Sequence, residues 1–331
     1  MFKVSAALLS LLVAPSLYAQ TTCKNPTLHD FTVYSIGNID VQQSDYQGMT
    51  GAGGFILARN FQFNSNPANC LAVAAGGDLG ISSAAINGNT EAGGSAGINS
   101  TGARGDVVAK EAFINSSSVR GNLVTVQPAR VQYSGVGGSR KRSARISLRA
   151  DHNQISNELR LESSYLKYQT PNNSIKITGS DVVISLKPGA NVLTFLRPAD
   201  LNNAKRIFIT GDSTSTAVIN VPGDQIILDG QDVILSSTIR VSNITWNFHE
   251  TSFLQITHTH NGKLGMPGIV MAPNALVVFN EALITGALYA GEIVTNMTDS
   301  TLNAGQVNIE PNPAPTPTPT PAQPAPAPKP N

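Results

Sequence analysis

Short runs in which apolar and polar residues alternate recur along most of this chain, and that period reads as β-strand. Residues 31–41 form the first run. Others follow at 175–177, 182–186, 191–195, 206–211, 216–221, 225–230 and 244–248. The clearest stretch lies between Gly268 and Gly291. There Gly268-Ile269-Val270-Met271-Ala272 is answered by Gly286-Ala287-Leu288-Tyr289-Ala290-Gly291, as if the chain had returned to the same place one layer away. Strands this short are not stable alone, but stacking successive turns buries their apolar sides as one continuous core.

A corner phrase supports that reading. Tyr46-Gln47-Gly48 leads to Ala52-Gly53-Gly54, and Ile86-Asn87-Gly88 leads to Ala92-Gly93-Gly94. Ala75-Gly76-Gly77 carries the corner alone, while Val119-Arg120-Gly121 and Ile284-Thr285-Gly286 carry the other half. The separations, Gly53 to Gly76 and Gly76 to Gly93, suit one coil of three short strands. Positive φ at the corners would explain the glycines. The pattern predicts an all-β fold, a right-handed parallel β-helix (solenoid) of about a dozen layers, roughly 55–60 Å long. A β-sandwich with Gly-rich turns is the competing architecture.

One segment has a different period. After Asp151, a suitable N-cap, Ile155, Leu159, Glu162, Tyr165 and Leu166 fall at helical spacing, and Pro171-Asn172-Asn173 ends the run. This predicts one flanking α-helix over about 151–169, its apolar stripe laid on a solenoid face.

Composition sharpens the picture. The 331 residues are 41% hydrophobic and 13% charged, with 29 Gly and 20 Pro, as in β-rich extracellular proteins. A net charge of +1 gives no global field to recruit nucleic acid, so polyanion binding would need a local patch. Lys3, the apolar run 4–13 and Ala19 read as a signal peptide, residues 1–19, removed on export. No run is long enough to span a membrane. The β-helix domain is then expected over 20–310, and 311–331 as a Pro-rich disordered tail, an extended spacer of about 65 Å with no apolar anchor and no sorting motif. Export makes a disulfide between Cys23 and Cys70, the only cysteines, the expected outcome, with two free thiols as the alternative.

Several phrases resemble the choice-of-anchor A domain, a family of bacterial exported proteins regarded as adhesins. They are Phe195-Leu196-Arg197-Pro198-Ala199-Asp200-Leu201, Ala217-Val218-Ile219-Asn220-Val221-Pro222-Gly223, Ile244-Thr245-Trp246-Asn247-Phe248 and Gly268-Ile269-Val270-Met271-Ala272-Pro273-Asn274-Ala275. In the N-terminal part Phe31-Thr32-Val33-Tyr34-Ser35-Ile36-Gly37 matches, followed by Asp45-Tyr46-Gln47-Gly48 and Ala52-Gly53-Gly54. The family is similar to ice-binding β-helix proteins, which also lay a helix along the solenoid. The resemblance implies an adhesive role and supplies no catalytic residues; the bare Pro-rich ending departs from its anchored pattern.

Candidate ligand contacts are few. His258 and His260 project from one face if extended and, with His249 or Glu250, could hold a metal such as zinc; an exposed loop is the plainer reading. Arg140, Lys141, Arg142 and Arg145 could meet anionic glycan, mark a protease-sensitive loop, or form an ordinary solvated loop. Trp246, the only Trp, could stack on a sugar or pack at a coil edge. Asp224, Asp229 and Asp232 fit turns better than calcium binding, since the Gly-Gly-x-Gly-x-Asp repeat is missing. Carboxylates are scattered and no Ser-His-Asp or Cys-His phrase stands out, so neither an enzyme nor a cofactor is expected. The reading is a secreted or cell-surface adhesin meeting glycan or extracellular protein through a solenoid face, without catalysis, nucleic acid or a membrane span. An ice-binding protein is the alternative, then a glycan-active β-helix enzyme; oligomeric state is left open.

Overall fold

Each alternating run becomes a short strand, and almost every strand pairs in parallel with one from another coil. The computed structural model describes residues 23–43, 45–64, 70–257, 265–295 and 306–308. The expected signal segment, the Pro-rich stretch 311–331, His258 and His260 lie outside the described residues. The molecule is all-β, with strands in three ladders closing around one core.

The first ladder can be followed through one core-facing row. It runs Leu193, Ile219, Trp246, Val270, Leu288, Val33, Thr50, Val73, Thr90, Val107, Leu123 and Arg140, each opposite the next. All but the last are buried. In the second ladder the corresponding row is Ile226, Leu254, Val277, Ile293, Ile39, Ile56, Leu79, Ala96 and Ala112. Alternation works because successive side chains point to opposite faces, so every second residue joins the core. At about 4.8 Å per strand the first ladder is roughly 55 Å long.

The return of Gly286–Ala290 onto Gly268–Ala272 is as the sequence suggested: Gly268 lies opposite Gly286 and Ala272 opposite Ala290. Stacking in chain order, however, holds only within each half of the chain. The neighbour of Leu288 on the far side is Val33, and that of Ile293 is Ile39. The chain therefore starts in the middle of the stack and builds coils to one end, where Arg140–Arg142 is the last strand. Helix α1, His152–Lys167, carries it back along the outside for about 24 Å. Coils then build from the other end until Ile284–Val294 docks on the first coil. One pair departs from the parallel rule: Ile175–Thr178 and Asp181–Ser185 form an antiparallel hairpin at the far end, turning at Gly179 with φ +62.

The Gly-Gly corners stack as the phrase implied, but for a different reason than expected. None of Gly53, Gly76 and Gly93 has positive φ. A Cβ on Gly76 would lie 2.3 Å from the carbonyl oxygen of Gly53, and one on Gly93 would lie 2.1 Å from that of Gly76. Close approach of stacked backbones therefore excludes a side chain there. Positive φ belongs to the apolar-x-Gly half, at Gly48, Gly88 and Gly286. The corner after the second ladder uses non-glycine residues in the left-handed region, Gln43, Asn60, Ser83, Ser100, Ser116 and Tyr133. There the N–H of every one but Tyr133, which is in the last coil, donates to the next coil: Asn60 N to Ser82 O and Ser83 N to Asn99 O, both at 3.0 Å.

Candidate functional site

Which of the three outer faces is open follows from what covers them. Helix α1 lies on the first ladder. Asp151 caps it, accepting from Gln154 N at 3.1 Å, and Ile155, Leu159 and Leu166 bury against Tyr34, Met271 and Tyr289. Of the residues expected on the stripe, Tyr165 is exposed, and Glu162 is half-buried and meets His29 Nε2 at 3.2 Å. Polar contacts fix the register. Asn247 Nδ2 donates to Ser163 O (2.9 Å) and Asn220 Oδ1 (2.8 Å), Ser163 Oγ donates to Asn247 Oδ1 (2.6 Å), and Asn220 Nδ2 donates to Leu166 O (2.9 Å). Nearer the N-terminus of α1 the buried Glu91 carboxylate takes Arg149 Nε at 2.6 Å. The Tyr34 hydroxyl donates to His152 O (3.1 Å) beneath the helix, and burial pushes that phenol up to about 12. The helix closes this face over about half of its length, from the layer of Asn220 to that of Gly76.

The outer side of the second ladder is open. One outward row runs Ile227, Gln255, Val278, Val294, Asp40, Leu57, Gly80, Gly97, Phe113 and Arg130. Beside it Gln42, Arg59, Ser82, Asn99, Asn115 and Gln132 form a polar row. Asn115 Nδ2 donates to Asn99 Oδ1 (2.9 Å), Thr257 Oγ1 to Asp229 Oδ1 (2.9 Å), and the Arg130 guanidinium sits 5.2 Å over the Phe113 ring. The face mixes apolar, amide and cationic groups along its length. Such a surface offers many modest contacts to an extended partner.

The third ladder presents small and amide residues, with Asn87 Nδ2 donating to Asn64 Oδ1 at 2.8 Å. At its far end Ser180, Asp181, Lys205, Arg206, Asp229 and Asp232 line a shallow depression of about 400 Å³. Arg206 spans the Asp181 carboxylate with two bonds, 2.6 and 3.0 Å, so that carboxylate is already satisfied.

The residues singled out from sequence scatter. Trp246 is wholly buried and donates Nε1–H to Pro267 O at 2.9 Å; it is core, unavailable to a sugar, which corrects its candidacy as a ligand contact. Its inward register on the first ladder is the physical reason. Arg140, Lys141 and Arg142 form the exposed last strand of the first ladder, not a loop. Arg145 follows it, also exposed. Cys23 and Cys70 are joined by a disulfide, with Cα atoms 5.7 Å apart. His249 is held below the ordinary histidine range by burial, and Glu250 beside it is tied to Lys167 Nζ at 2.9 Å. Asp229 and Asp232 share the depression, whereas Asp224 uses its backbone carbonyl to accept from Ser252 and Phe253. Among the described residues no group of three or more His, Cys, Asp or Glu is placed to hold a metal, and no helix is long and apolar enough to cross a membrane. The open second-ladder face was missed in the sequence; its signal was the outward half of each alternating run, read only for its inward half.

A family model described as "Putative Ice-binding-like adhesive domain" matches residues 25–301. No curated protein matches. Among solved structures, this chain is similar to the crystal structure of an ice binding protein from an Antarctic bacterium, Flavobacteriaceae, at 12% identity over 83% of this chain and 81% of that one. Its TM-score of 0.33 is too low for any geometry to be carried across.

Proposed function

Because this chain belongs to the ice-binding-like adhesive domain family, we propose that it is an exported surface or matrix adhesin. It binds glycan or extracellular protein through the outer face of the second ladder and performs no chemistry. We read the closed parallel stack as a right-handed β-helix of the choice-of-anchor A kind, delivered outside the cell by residues 1–19. The observation that carries the reading is an open strand face along the second ladder while the helix covers the middle of the first. Adhesion would be multivalent, many weak contacts along the rows adding to one useful affinity. A disulfide suits an oxidising, extracellular setting.

Ice binding, the alternative in the family's name, would favour Thr-x-Thr recurring in every coil. Neither outward row described above carries Thr, which favours adhesion.

The test is a glycan and matrix-protein array probed with wild type and with a Leu57→Lys/Val278→Lys double variant. Both residues point outward, so the core is left alone. Binding that the variant loses supports the reading. Silence across the array together with thermal hysteresis would replace it by ice binding.

A further inference from the structure

The formal charge of +1 hides a strong segregation. Between Glu111 and Asp151 the chain has no Asp or Glu; of its seven cations Arg149 pairs with Glu91, which leaves Arg120, Arg130, Arg140, Lys141, Arg142 and Arg145. The fold gathers these at one end of the stack. The last strand of each ladder, Arg130–Gln132, Gly135–Val136 and Arg140–Arg142, belongs to this terminal coil, with Arg120 one layer below and Arg145 just beyond. Among the described residues none of the six makes an ion pair.

Part of this charge ends the stack. Arg140 lies opposite Leu123 and Arg142 opposite Thr125, so both occupy core-row positions where a further coil would need apolar residues. That role does not explain Lys141, which faces outward opposite Val124, nor Arg145, Arg130 and Arg120. A rim serving solubility alone would mix signs; this one carries a single sign. Layers are about 4.8 Å apart, within the screening length of about 8 Å at physiological salt, so these potentials reinforce one another. Tyr133, in the same coil, is 93% exposed at φ +48, leaving an aromatic ring free to lie against a pyranose.

We propose that this terminal coil, residues 126–142 with Arg145, is a binding site for acidic polysaccharide. Arginines take the carboxylates or sulfates in bidentate pairs, Lys141 adds a point charge, and Tyr133 covers a sugar face. The site gives the adhesive reading a ligand class and rests on that reading for its biological sense. It shares Arg130 and Gln132 with the end of the second-ladder face but lies four layers from Leu57, so the Leu57→Lys/Val278→Lys variant is expected to keep it.

The experiment measures binding of the full chain to alginate, heparin, neutral dextran and duplex DNA across a salt series. Expected are salt-sensitive binding to alginate or heparin, none to dextran, and a loss of about tenfold or more in Arg140→Ser/Lys141→Ser/Arg142→Ser/Arg145→Ser. Alginate against heparin separates carboxylate from sulfate recognition. Should the quadruple variant associate end to end, Lys141→Ser/Arg145→Ser leaves the core-row arginines in place and is expected to weaken binding by itself. Absence of binding to either acidic glycan, binding unchanged in both variants, or tighter binding to DNA than to alginate and heparin would overturn the proposal.

Discussion

Replacing Gly76 by Ala tests the stacking of the coils at its tightest point. The new methyl would lie 2.3 Å from Gly53 O, where ordinary contact begins about 1 Å further out. Two short bonds hold the coils together there, Gly76 N to Ala52 O at 2.8 Å and Gly77 N to Gly54 O at 2.9 Å. Making room must stretch them. Overpacking costs about 1–3 kcal/mol, and weakening one or two backbone bonds adds about 1 kcal/mol. Ala recovers about 0.4–1 kcal/mol from the stiffer unfolded chain. The net loss is about 2–3 kcal/mol, or a Tm lower by roughly 5–10 °C in a domain of this size. Two controls separate space from backbone strain. At Gly97 the nearest atom to a new Cβ is Leu79 O at 3.8 Å and φ is not positive, so Gly97→Ala should be neutral or slightly stabilising. At Gly179 φ is +62 with nothing within 4 Å, so Gly179→Ala should cost only about 1 kcal/mol. Thermal unfolding followed by circular dichroism and calorimetry reads all three. A Gly76→Ala Tm equal to that of Gly97→Ala would refute direct stacking of the corners.

Three further outcomes are expected. His152, the first residue of α1, is half-buried, its Nε2 has no hydrogen-bond partner among the described residues, and burial lowers its pKa to about 4. The unfolded chain takes up a proton near pH 6.5 and the folded one does not, so stability should fall between pH 6.5 and 4 by up to about 3 kcal/mol. His29 acts in the opposite sense and above that window, since its bond to Glu162 raises its pKa and its contribution is complete below pH 6.5, so His152→Phe should flatten the slope of Tm between pH 6.5 and 4. Breaking the Cys23–Cys70 bond closes no loop over 47 residues, worth about 4 kcal/mol, so Cys23→Ser/Cys70→Ser should lower the denaturant midpoint and the oxidised wild type should fall to the same value on reduction. Asn247→Ala removes the link between Ser163 and Asn220 and leaves buried groups unpaired; a loss of about 2–4 kcal/mol and earlier proteolysis within 143–175 are expected, and an unchanged digestion pattern would show that α1 is held by its apolar stripe alone.

Local chemistry was legible where it repeats. Alternation identified the strands, Asp151 and the spacing of Ile155, Leu159 and Leu166 gave the helix within about two residues of its ends, and the Gly-Gly phrases marked one corner. Candidate residues fared worse. Trp246 and the basic cluster were read by residue type, but a Trp in the inward register is core and an Arg at the end of a core row closes the stack.

By itself, then, the sequence determined which residues face inward, where the glycine corners bend, and that one helix must lie on the outside, because these depend on neighbours a few residues apart. Only the tertiary structure decided that Leu288 meets Val33, that the chain begins in the middle of its own stack, and that six of the seven cations between Glu111 and Asp151 crowd one end. Parallel pairing joins strands whose backbones are chemically alike, so the choice of partner is made by the packing of the whole core.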